Sequence, residues 1–182
     1  MSEWKFKPKV FFRIWINIIE SLCWSYNPKY FEGKLKEKIR EKLAEIFPTK
    51  FVTMEQPCRF DIAITSHENL VYDDPSDFYP REIYVLLEHE SDGRMVLDKI
   101  HKLVCHRAML KVLVFYVAKT SYKKPIEYVS ECARAIREFN SKLSEDPRTK
   151  YLLIIGLEAK NGHITTWLGF EINTKGNIKH IS

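Results

Sequence analysis

Three carboxylates sit where a carboxylate is costly. Asp61 lies inside the apolar stretch Phe60–Thr65, and Glu88 and Glu90 close the continuous apolar run Ile83–Leu87. A carboxylate taken out of water must be paired, hydrogen-bonded or bound to a cation. Side chains alternate along a strand, so Glu88 and Glu90 share one face and His89 takes the other. With Asp61 in register on a neighbouring strand, three carboxylates converge near the strand ends. That oxygen-rich set suits Mg²⁺ rather than zinc. It also suits phosphodiester hydrolysis, where a metal lowers the pKa of an attacking water and neutralises the scissile group. The plainer reading has Glu88 and Glu90 emerging into solvent beside Arg94 or Lys99, with Asp61 paired to Arg59 or capping a turn.

The elements that must position these groups follow from hydrophobic spacing. Apolar residues Phe31, Leu35, Ile39, Leu43, Ile46 and Phe47 recur at three and four, predicting an amphipathic helix over 28–47 that Pro48 ends. Phe51–Met54 and Phe60–Thr65 read as two short strands in a hairpin or meander, broken by Gln56-Pro57. Residues 66–82 read as a polar connection to the strand Ile83–Leu87. Gly93 then precedes a helical pattern through Val96, Leu97, Ile100, Leu103, Val104 and Ala108, and Val112–Val117 is a further buried strand. A helix over about Ile126–Leu143, a strand Tyr151–Leu157, the turn signal Asn161-Gly162 and a last β-rich segment His163–Ile172 complete the chain. Strands alternating with helices predict an α/β fold, a central mixed sheet flanked by helices.

Taken together, Arg59-Phe60-Asp61-Ile62-Ala63-Ile64, IYVLLEHE at 83–90, the helix carrying Lys99 and Lys102, and KVLVFY at 111–116 resemble the PD-(D/E)XK nuclease superfamily. The likeness runs over about residues 29–157. It implies a restriction endonuclease-like core and a metal-dependent endonuclease hydrolysing DNA phosphodiester bonds, with Mg²⁺ as cofactor and Mn²⁺ substituting. By the same resemblance Asp61 and Glu88 are metal ligands, the backbone carbonyl of His89 is a further one, and Glu90 is a ligand or base where the family usually carries lysine. Some members move that lysine into the following helix. Lys102, which precedes Leu103 ahead of KVLVFY, is the preferred migrated lysine. Lys99 is the runner-up, because the stripe Val96, Ile100, Leu103, Val104 sets Lys102 almost opposite the core while Lys99 flanks it. An acidic residue on the first helix often joins such sites, and Glu32 is the candidate, with Glu41 behind it. LLEHES at 86–91 is also similar to the LLEHQS of transposase-related recombination-promoting nucleases. The missing lysine at 90 supports an alternative, a catalytically inactive nuclease-like module that binds nucleic acid or protein.

Composition sets the remaining bounds. The chain has 182 residues, 45% of them apolar, and a formal charge of +5, enough for one core and mildly suited to a polyanionic partner. Residues 1–27 read as an apolar and basic helical segment for packing or homodimerisation, and 28–182 as the α/β domain. Val10–Trp24 carries Arg13, Asn17 and Glu20 and is too short and polar to span a bilayer. The four cysteines, Cys23, Cys58, Cys105 and Cys132, lack zinc-ligand spacing and read as small buried hydrophobes of a cytoplasmic protein. No Gly-rich phosphate loop follows a strand, so a nucleotide cofactor is not expected. DNA is the expected partner. His67, His101 and His106 read as ordinary loop or helix residues.

Overall fold

The computed structural model describes residues 7–21, 36–46, 51–55, 60–66, 82–91, 93–118, 121–158 and 163–181. Helices α1 (Pro8–Ser21) and α2 (Lys36–Ile46) precede strands β1 (Phe51–Glu55), β2 (Ile62–Ser66) and β3 (Ile83–Glu90). A 3₁₀ turn at Gly93–Met95 leads into α3 (Val96–Val104), followed by β4 (Leu110–Ala118), α4 (Pro125–Leu143), β5 (Lys150–Glu158), β6 (Ile164–Asn173) and β7 (Ile178–Ile181). The fold is the expected α/β arrangement, one mixed seven-stranded sheet in chain order. β3, β4 and β5 run parallel, and every other neighbouring pair is antiparallel. The parallel pairs are those joined by a helix, as a crossover requires.

Period-two alternation divides the sheet between two cores. Ile62, Ile64, Val85, Leu87, Val112, Val114, Leu152 and Ile154 face α1 and α2. Leu86, Leu113, Phe115, Leu153 and Ile155 face α3 and α4. On α1, Phe11, Phe12, Trp15, Ile18 and Ile19 are buried in the first core, so the apolar side of this helix packs on the chain's own sheet. Gly169 makes room there: a Cβ would stand 3.0 Å from the Phe12 ring.

The pairing of β1 with β2 and of β2 with β3 confirms the meander. β7 was not anticipated. It is a four-residue strand reached by a turn in which Asn173 Oδ1 accepts the N–H groups of Lys175 and Asn177, while Gly176 takes φ +79°. That left-handed position favours glycine. The proposed turn Asn161-Gly162 and most of the connection 66–82 lie outside the described residues, although β5 and β6 do pair antiparallel. Among the described residues no helix is long and apolar enough to cross a membrane.

Candidate functional site

β3 and α3 build the site between them. Leu86 anchors β3 in the second core, and two residues on, Glu88 points to the same side, beneath α3. Its side chain is 1% exposed, and both of its oxygens are taken by ammonium groups: Lys99 Nζ lies 2.7 Å from Oε2, and Lys102 Nζ bonds Oε1. Val96, Ile100, Leu103 and Val104 are the buried stripe of α3. Lys99 and Lys102 flank that stripe one turn apart, and their long apolar stems let both heads lean to the same carboxylate. Both lysines named from the sequence therefore reach the site. The helical-wheel objection to Lys102 underrates the length of its side chain.

Asp61 immediately precedes β2, and its Oδ2 accepts the backbone N–H of His89 at 2.8 Å. This ties the start of β2 to the end of β3 beside Glu88. Glu90 is half-buried and is the last residue of β3. The Lys99 ammonium reports the surrounding charge. Burial alone would depress its pKa, but the Glu88 hydrogen bond and the charges of Glu88, Asp61 and Glu90 outweigh that and lift it above the ordinary 10.5. Lys99 is thus a held cation, not a base, at neutral pH.

The His89 ring takes the opposite face, as alternation demands, with Nε2 2.7 Å from the Tyr116 hydroxyl. Lys102 is also 4.4 Å from the centroid of the buried Phe60 ring. His106 Nδ1 donates to the Lys102 carbonyl at 2.9 Å, and His101 stacks on Phe139, which accords with ordinary structural histidines. Glu41 is exposed on α2. Glu32, His67, Cys23 and Cys58 lie outside the described residues. Cys132 is buried, its thiol pushed up to about 12 chiefly by desolvation, whereas Cys105 is exposed, a correction to the reading of all four as buried. It follows the last turn of α3, where the chain leaves the core.

Glu88 has both oxygens on lysines and Asp61 has one on an amide. Among the described residues no three His, Cys, Asp or Glu side chains gather to hold a metal ion.

A buried lysine escaped the sequence reading. Lys111, the second residue of β4, is fully buried; its Nζ bonds Glu145 Oε1 and lies 3.2 Å from the Tyr151 hydroxyl, which donates to Glu145 Oε2 at 2.6 Å. Desolvation, only partly offset by Glu145, lowers the Lys111 pKa, and burial followed by the Glu145 carboxylate raises that of Tyr151. A lysine inside KVLVFY carries the same desolvation argument as Asp61, and that was the available signal.

No family model matches the chain, and no curated protein matches it. Among solved structures it is similar to a carbon-nitrogen hydrolase from Helicobacter pylori G27, at 9% identity and a TM-score of 0.42, covering 86% of this chain and 67% of that one. The PD-(D/E)XK reading and the DNA endonuclease activity drawn from it are corrected: no family model or curated protein bears them out, and the similar structure is described as a carbon-nitrogen hydrolase. The inactive nuclease-like module was drawn from the same resemblance and is withdrawn with it. At that identity and score the likeness assigns no activity to this chain.

Proposed function

We propose that the protein is a hydrolase whose centre is the Glu88–Lys99–Lys102 cluster, acting on a carboxylic ester or amide. The observation that carries this reading is the pairing of two ammonium groups with one carboxylate that is 1% exposed. Taking such charges out of water is expensive, and apolar residues of similar volume usually stabilise a fold as well or better. The cluster also stands at the carboxyl end of β3, and the carboxyl ends of parallel strands are where open α/β sheets bind ligands.

Each group has a role suited to its surroundings. Glu88, with an ammonium group on each oxygen, serves as the anchor that aims both lysines. Lys99 and Lys102 have side chains 29% and 27% exposed, so a ligand can approach their ammonium groups. They stabilise the oxyanion that forms when water adds to a carbonyl. Glu90, at the solvent end of the same strand face, takes the proton from that water and returns it to the leaving group. Asp61 holds the backbone of β3 in place through the His89 amide.

The test is release of nitrophenol or nitroaniline from a panel of short-chain p-nitrophenyl esters and p-nitroanilides. Wild type should turn over at least one class, and Lys99→Met should lose about 10²-fold or more. Glu90→Gln should fall similarly. A wild type no faster than Lys99→Met on every substrate overturns the reading.

A further inference from the structure

Resting on that reading, we infer that Phe60 is a positioning residue for Lys102, its ring face holding the ammonium on Glu88. Phe60 is fully buried just ahead of β2, and the Lys102 Nζ lies 4.4 Å from its centroid while also bonding Glu88 Oε1. A cation over an aromatic face at that distance is attracted by the ring quadrupole, the more strongly where water is excluded. Leucine would fill much of the same volume but would supply no such attraction.

The ring also controls the base of the lysine. Phe60 meets the His106 ring edge-on at 4.7 Å, and His106 Nδ1 donates to the Lys102 carbonyl. The head of Lys102 and the backbone from which it springs are therefore both set by one aromatic side chain. Lys99 has no counterpart: among the described residues no ring is recorded against its ammonium, and Glu88 with the charges of Asp61 and Glu90 holds it. Both lysines hydrogen-bond Glu88, and Lys102 meets the ring in addition. Phe60 itself touches no substrate.

Fluorination of the Phe60 ring separates these roles, because each fluorine weakens the quadrupole with little change of shape. The full-length protein is prepared with mono-, di- and trifluorophenylalanine at position 60, alongside Phe60→Leu. Exchange of the lysine ammonium protons with solvent is then followed by ¹⁵N NMR. The expected result is Lys102 exchange rising stepwise with fluorine number, by about tenfold over the series, while Lys99 exchange stays constant. Phe60→Leu should match the trifluoro form at Lys102. Constant Lys102 exchange across the series, or equal acceleration at Lys99 and Lys102, overturns the proposal. The exchange readout needs no substrate, so failure of the ester and amide panel does not touch it.

Discussion

The α3/α4 face of the sheet carries two buried lysine–carboxylate clusters that differ in one respect. At the amino end of β4 and β5, Lys111 is 0% exposed and Glu145 8%, and the Tyr151 hydroxyl and Val104 carbonyl take the other ammonium donors. At the carboxyl end of β3, Glu88 is just as buried, but the two lysines on it are more than a quarter exposed. The pKa directions record the difference: burial wins at Lys111 and lowers it, whereas surrounding carboxylate charge wins at Lys99 and raises it. A sealed cluster with every group satisfied is a strut. An open one with cations facing outward is equipped to meet a ligand.

The comparison breaks most readily at the strut. Lys111→Met leaves the Glu145 carboxylate buried beside Tyr151 without its cation, and should cost about 3–5 kcal/mol in urea unfolding. A loss within experimental error would erase the distinction between the two ends. Next in size is the effect on catalysis. Lys102→Met should reduce hydrolysis about 10²-fold, or about 3 kcal/mol of transition-state stabilisation. Unchanged turnover would leave the open cluster without a role for that lysine.

Alkaline titration sharpens the contrast further. Lys99 has a folded pKa raised above the unfolded 10.5, so the stability that it contributes is fully present below pH 10.5. It is lost as pH rises through the folded value, at about 1.4 kcal/mol per unit. The unfolding free-energy difference between wild type and Lys99→Met should therefore be flat from neutral pH and shrink only above 10.5. Shrinkage toward acid pH would contradict the assignment. The smallest effect separates the cysteines: a thiol reagent should label exposed Cys105 in the native protein within minutes and spare Cys132, whose thiol is buried and pushed up to about 12. Mass spectrometry of the labelled peptides reads the outcome.

These contrasts also show what a sequence exposes. β3, β4 and β5 were legible because apolar runs of strand length have few other homes, and α3 because its stripe repeats at the helical period. β7 was missed because four residues with three exposed side chains carry no hydrophobic pattern. The site was half legible. Desolvation cost marked Asp61, Glu88 and Glu90, but what neutralises a buried carboxylate depends on which side chains can reach it in space. Two lysines three residues apart, each with a flexible stem, reach Glu88. The spacing of the carboxylates was legible, whereas the pairing of Glu88 with both lysines of the next helix was not. Lys111 was overlooked for the converse reason: its partners Glu145 and Tyr151 are distant in sequence, and only the parallel pairing of β4 with β5 sets Tyr151 beside it.

The most direct test replaces the open cluster by apolar side chains in one step, as Glu88→Leu/Lys99→Met/Lys102→Met, and measures hydrolysis and unfolding free energy on the same preparation. A cluster kept for chemistry should yield a variant within about 1 kcal/mol of wild-type stability that has lost its turnover of esters or amides. A variant that unfolds like Lys111→Met, or one that retains wild-type turnover, would show that the Glu88 cluster is a second strut.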